Sequence, residues 1–349
     1  MTSSRLVADY NVINELGKNM TTLLMKNKQV VFSLFLTVRT MVVTSVRRTL
    51  MPVVGALVFL LIWSSVAPNI DTSLGKFPGP SAVIQQFGVL YQAHLSEADK
   101  EEAFFLRQQQ RNEQRVAQDP TYVPKVRAYT GKDTFPQQIV TSLVTVMSGF
   151  TLAVIIAIPL GIAIGLSKPL SMAVNPIIQL FKPVSPLAWL PLVTMVVSAL
   201  YVTPDPMVPK AFLNSMITVT LCCLWPMVIN TAIGVASINS DLVNVSRVLQ
   251  LPALKHVQKI VLPASIPMIF TGMRLSLGVA WMVLIAAEML AQNPGLGKFV
   301  WDEYQNGSSD SLSRIMASVI VIGLIGFLLD RAMLLLQRVF SWDKSSEIR

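Results

Sequence analysis

Residues 241–291 read DLVNVSRVLQLPALKHVQKIVLPASIPMIFTGMRLSLGVAWMVLIAAEMLA. Up to Lys259 the stretch mixes bases with scattered apolar residues; from Pro267 to Ala291 it is a largely apolar run whose only charges are Arg274 and Glu288. An apolar block of about 18 residues or more can cross a bilayer as a helix. The basic half therefore reads as a short, partly helical loop between two membrane spans, with Pro263 and Pro267 bracketing the turn into the second. Such a loop serves either as a plain connection or as a docking place for a soluble partner.

Working outward, further apolar blocks cover about Leu50–Pro68, Ile139–Leu166, Pro183–Leu200, Ala211–Ile238 and Arg314–Leu336. With Pro267–Ala291 they make an all-α polytopic membrane protein of about six transmembrane helices. Composition agrees: 52% of residues are hydrophobic and 13% charged, against about 25% charged in a soluble domain. Pro183, Pro186 and Pro191 interrupt the third span, which neighbouring helices or water can tolerate. Gly161 and Gly165 are a small-xxx-small pair that lets helices approach closely.

The net charge of +9 sits beside the spans, where bases orient helices and meet anionic lipid. No compact basic domain suggests nucleic acid. Arg47 and Arg48 precede the first span, so its start is expected in the cytoplasm, and an even span count leaves both termini there. Residues 1–48 form a basic cytoplasmic segment. Within it, 30–46 carries Ser33, Thr37, Thr40 and Thr44 on one face with Arg39 mid-run; it reads as an amphipathic surface helix, or alternatively as a seventh span. The first span occupies 49–68 and a periplasmic insertion 69–137. In the insertion, acids precede arginines along 96–118, and Ser96 with Asp99 fits a helix N-cap. Residues 138–340 are the transmembrane core, with a cytoplasmic loop at 239–265, and 341–349 a cytoplasmic tail.

The chain offers little to catalysis. Cys222 and Cys223 are sequence neighbours, and His94 and His256 lie far apart, so neither set suggests a metal site or disulfide. There is no phosphate-binding loop: Gly295-Leu296-Gly297-Lys298-Phe299 lacks the first glycine and ends in Phe. No internal repeat of the kind that builds secondary carriers is evident. A stand-alone channel or carrier is the rival of another class.

Inside the spans, Arg274, Trp281 and Glu288 recur every seven residues, close to one helical face. Ionisable residues in a span are candidates for a transport path, with a buried pair or a wet interfacial position as the plain alternative. Asn214 and Thr218, with Cys222 and Trp225, form a similar polar stripe that would either line a path or bond between helices.

The loop resembles the cytoplasmic signature of ABC importer permeases, Glu-Ala-Ala, three residues, Gly, nine residues, Ile-x-Leu-Pro. Ile260, Leu262 and Pro263 match its second half, while Gln250 stands where the family has Gly and Asn244-Val245-Ser246 where it has Glu-Ala-Ala. LPASIPMIFTGMRLSLGVAWMVLIAAEML with NPGLGKFVWDEYQ, AVIIAIPLGIAIGLSKPL at 153–170 and KPVSPLAWLPL at 182–192 resemble the nitrate, sulfonate, taurine and bicarbonate branch, nitrate-type members most. The resemblance implies a type I ABC importer permease fold in the bacterial inner membrane and no ATPase site in this chain. It implies cytoplasmic ATPase subunits that bind ATP and Mg, a second permease subunit in a homodimer, and an extracytoplasmic substrate-binding protein. Arg247, Gln250, Leu251, Leu254, Lys255, His256, Ile260, Leu262 and Pro263 would face the ATPase. The expected cargo is a small anion, nitrate first, with nitrite, bicarbonate or cyanate close; taurine or an alkanesulfonate is the alternative.

Overall fold

The computed structural model describes residues 50–72, 75–119, 121–202, 207–308 and 310–340. The basic segment 1–48, with its amphipathic helix or seventh span, and the tail 341–349 lie outside the described residues. Contacts divide the chain into two units, Met1–Ile70 and Asp71–Arg349. In the first, α1 (Leu50–Asn69) is an apolar helix of 20 residues with nearly every side chain exposed. Water would penalise that exposure; a bilayer does not.

The second unit opens with a small antiparallel hairpin, β1 (Asp71–Thr72) and β2 (Gly75–Lys76). Helix α2 (Pro80–Gln118) follows, 39 residues long, or about 58 Å at 1.5 Å per residue. Pro80 starts it where a missing N–H costs nothing. It begins well before the charged run because Val83, Gln86 and Leu90 give its first turns a buried face. Ser96 is therefore not an N-cap: it lies mid-helix, its hydroxyl donating to the Ala93 carbonyl at 3.0 Å. The segment after α2 runs back along it. Asn112 donates to the Lys125 carbonyl at 3.1 Å, Gln108 exchanges hydrogen bonds with the Arg127 backbone, Glu97 accepts from the Tyr129 hydroxyl at 2.7 Å, and His94 meets Thr134 at 2.9 Å.

Helix α3 (Phe135–Leu166) starts at Thr134, whose N–H donates to the Gln137 side chain at 2.8 Å. Next come α4 (Lys168–Phe181) and α5 (Pro186–Leu200), bent by 101° at the break between them. This corrects the third span. A helix of 15 residues, about 22 Å, does not reach across a core of about 30 Å. Pro183 and Pro186 break the helix, and Ser185 restarts it by accepting from the Leu187 N–H at 3.3 Å. The crossing is a broken one that includes α4. Helix α6 (Lys210–Ala236) is followed by α7 (Ser240–Val248) and α8 (Ala253–His256). A π turn at Val257–Val261 joins α8 to α9 (Leu262–Ala291) without a break. Pro263 and Pro267 thus bracket no turn: both lie inside the continuous helix, Pro263 just after the π turn and Pro267 about one turn further on. The outer loop expected after Ala291 contains a further helix, α10 (Leu296–Asn306), and α11 (Ser311–Phe340) closes the fold.

Glycine contacts fix the helix directions. Gly149 lies against Met216 and Val219, Gly161 against Val228 and Thr231, and Gly165 against Ala232 and Val235, so α3 and α6 run parallel. A Cβ at Gly161 would come within 2.6 Å of the Thr231 Cβ, and one at Gly165 equally near Val235. Gly234 faces Ser265 and Met268 while Gly272 faces Met227 and Asn230, so α9 is antiparallel to α6. Phe270 stacks on Phe340 and Trp281 bonds to Ile322, so α11 is antiparallel to α9. The chain must return between α3 and α6, and α4 with α5 supplies that return. This topology puts α7 and α8 at one end of the core. Helix α10 and the base of α2 lie at the other, beside the start of α3, where Phe135 packs on Phe299 with ring centroids 5.1 Å apart.

Candidate functional site: a helix-turn surface at one end of the core

Helix α7 ends in a Schellman-type cap. The Gln250 N–H donates to the Arg247 carbonyl at 3.0 Å and the Leu251 N–H to the Ser246 carbonyl at 3.1 Å. Gln250 has φ of +46°, the left-handed region that favours glycine. That is the physical reason a glycine suits this place in the loop signature. Ser246, buried, bonds to His256 Nδ1 at 2.7 Å and ties α7 to α8. His256 is thus held inward, while Arg247, Lys255 and Lys259 are exposed.

The outer face of the turn is apolar. Leu254 is 69% exposed and Val248 82%, with Leu242, Val245 and Leu249 exposed around them. Leu251 and Ile260 are half-buried, and Leu262 and Pro263 lie exposed at the start of α9. Val248 and Leu249 were not singled out from sequence, although Leu242, Val245 and Leu249 recur at helical spacing. An apolar ridge with bases beside it suits a protein contact better than water.

The candidate path residues occupy two other places. On α9, all three are tied to neighbours. Arg274 forms a bidentate pair with Asp330 of α11, with Nη2 3.0 Å from Oδ2. Trp281 Nε1 donates to the Ile322 carbonyl at 2.9 Å. Glu288 is fully buried; its carboxylate accepts from the Gly297 N–H at 3.0 Å and lies 2.9 and 2.8 Å from the Ser142 hydroxyl. Ser142 in turn accepts from the Leu296 N–H at 2.8 Å. The two together cap the start of α10, where a carboxylate complements the helix dipole. On α6, Thr218 donates to the Asn214 carbonyl at 2.7 Å, and the buried Asn214 Oδ1 has no hydrogen-bond partner among the described residues. Asp330 and Ser142 were missed. Asp330 was visible, since an acid beside Arg331 within the apolar run GLIGFLLDRAM is unusual for a span; Ser142 gave no signal at all.

Among the described residues, five helices are long and apolar enough to cross a membrane, six counting the bent pair as one span. The core shares its fold with type I ABC importer permeases. A chain in a structure titled "Inward facing conformations of the MetNI methionine ABC transporter" superposes with a TM-score of 0.51 at 13% identity, over 59% of this chain and 95% of that one. Residues 137–341 match the family described as binding-protein-dependent transport system inner membrane component, and the chain belongs to that family. It is thus a multi-pass inner-membrane permease subunit, not an enzyme. It is 42% identical over 193 residues to the nitrate import permease protein NrtB of Leptolyngbya laminosa, covering 55% of this chain and 64% of the relative. It is 34% identical over 290 residues to the bicarbonate transport system permease protein CmpB of Synechococcus elongatus, covering 83% and 88%.

Proposed function

We propose that this chain is the membrane subunit of an ATP-driven importer of a small anion, with nitrate as the cargo and bicarbonate next. The carrying observation is the α7–α8 turn. It presents exposed Leu254 on a piece of helix continuous with α9, and exposed Val248 at the end of α7 just before it. A partner that pushes on this turn moves a rod of 39 residues, about 58 Å long. ATPase subunits, binding ATP and Mg, would dock there; that end of the core would then be cytoplasmic, and the bases Arg47 and Arg48 before the first span favour the same side for both termini. Helix α10 and the long α2 would then face outside, toward a substrate-binding protein, and two copies of the chain would enclose the path. The relatives named for nitrate and bicarbonate import support the cargo. The test is growth and labelled uptake after deletion of the gene. Growth on low nitrate as sole nitrogen source should fail while growth on ammonium is spared. A defect on taurine or an alkanesulfonate as sole sulfur source instead would replace the cargo and leave the permease reading intact.

A further inference from the structure

Helices α3 and α5 contain no charged residue, and α6 has only Lys210 at its first position. Charge inside the core is concentrated where α9 meets α11. Arg274 lies 12 residues inside the start of α9, about 18 Å along the axis, and Asp330 10 residues from the end of α11, about 15 Å. Each thus lies about three helical turns inside its span, counted from the α7–α8 end of the core. Yet the pair is not buried: the side chains keep 40% and 39% of their exposure. Charged groups at that depth are not left facing lipid, so this face is turned to protein or to a water-filled path.

We propose that Arg274, oriented by Asp330, is an intramembrane subsite for a small singly charged oxoanion in transit; this rests on the permease reading above. A guanidinium has five N–H donors in a planar fork. Asp330 engages Nε and one N–H of Nη2, which leaves three N–H groups uncommitted among the described residues. The bidentate pair fixes the plane of the fork, so the free edge is presented in one orientation. Asp330 also tempers the charge. An unopposed guanidinium in a dry path would hold an anion too long, and conduction needs sites strong enough to fill and weak enough to empty. Arg331 follows Asp330, its guanidinium 4.9 Å from the Phe327 ring centroid. The three side chains therefore carry a net single positive charge, the sign and size that one monovalent anion balances. A planar oxoanion matches the fork; a bulky zwitterion does not.

The experiment uses the whole importer, with its ATPase and binding-protein partners, in proteoliposomes. Uptake of labelled nitrate, then of bicarbonate, is followed for wild type, for the double variant Arg274→Met with Asp330→Met, and for Arg274→Lys. Removing both charges at once leaves no unpaired ion, which is why the double variant is expected to assemble. If the pair is a subsite, the double variant assembles and loses at least about tenfold of uptake. Arg274→Lys, which keeps the charge and loses the fork, raises the KM for the anion at least about fivefold, with assembly and melting temperature unchanged. Wild-type uptake by the assembled double variant, or an unchanged KM in Arg274→Lys, overturns the proposal and leaves the permease reading standing. Absence of ATP-dependent uptake of either anion by the wild-type importer overturns that reading instead.

Discussion

The Ser142 hydroxyl lies 2.9 and 2.8 Å from the two carboxylate oxygens of Glu288, 146 positions away, and accepts from the Leu296 N–H at 2.8 Å. One serine and one glutamate thereby join α3, α9 and the first turn of α10 at the end of the core opposite the α7–α8 turn. The packing is tight. A Cβ at Gly295 would fall on the Glu288 carboxylate, and one at Gly297 would meet the Ile285 carbonyl at 2.2 Å.

Replacing Glu288 by Ala leaves the buried Gly297 N–H without an acceptor, which costs about 1–3 kcal/mol. The purified subunit should melt a few degrees lower, at about 1–2 °C per kcal/mol for a chain of 349 residues. Gly297→Ala should be worse than Gly295→Ala, because the first clashes with backbone and the second with a side-chain end that can shift. Differential scanning fluorimetry in detergent reads the order, and equal melting of all three with wild type would contradict it.

The seam between α3 and α6 gives a second ranking. Gly161→Leu forces the two helices apart and should abolish accumulation in the membrane. Gly278→Ala fills open space on α9 and should be neutral or stabilising, by up to about 1 kcal/mol of helix propensity. Expression level and melting temperature check both, and tolerance of Gly161→Leu would refute the parallel packing described above.

These contrasts mark what the sequence could and could not reveal. The spans were legible because apolar length alone defines them: α3 and α11 extend only a few residues beyond the limits read from hydrophobicity, and α6 agrees with them to within two residues at each end. The glycine pair was legible because small residues at Gly161 and Gly165 have few other uses in a span. The break between α4 and α5 was misread because Pro183 and Pro186 look the same in a kinked span and in a sharp bend. Helix α10 was missed because Leu296–Asn306 is short, amphipathic and started by a tertiary cap. Its partners, Ser142 and Glu288, meet only in three dimensions. On α9 the spacing of Arg274, Trp281 and Glu288 was seen, but their partners Asp330, Ile322 and Ser142 lie on other helices.

The α7–α8 turn yields a paired test. Gln250→Gly relieves a left-handed backbone at Gln250 and should stabilise the turn by up to about 1 kcal/mol, leaving partner binding equal or tighter. Leu254→Asp puts a charge into an apolar contact and should weaken co-purification of the ATPase subunits with membrane insertion unchanged. Undiminished co-purification in both Leu254→Asp and Leu251→Asp would remove the docking role.

Outside the membrane core, Glu97 and Tyr129 couple α2 to its return segment. The Tyr129 hydroxyl, then Lys100 and the Lys132 N–H, hold the Glu97 carboxyl below its ordinary value. A carboxyl lowered in the folded state contributes stability above its unfolded pKa, and that contribution is lost as pH falls through the folded one. Amide exchange in residues 121–134 should therefore speed up, relative to its intrinsic rate, as pH drops through and below the ordinary carboxylate range. Tyr129→Phe should flatten the response; an identical profile in that variant would assign the loosening to other groups.

The most direct test of the permease reading is reconstitution of this chain with its ATPase and binding-protein partners in sealed vesicles, with anion uptake measured with and without ATP. Uptake of labelled nitrate that requires ATP and the loaded binding protein, with no ATP hydrolysis by this chain alone, is the predicted result. Uptake that proceeds at full rate without ATP and without partners would show a channel or carrier and contradict the account.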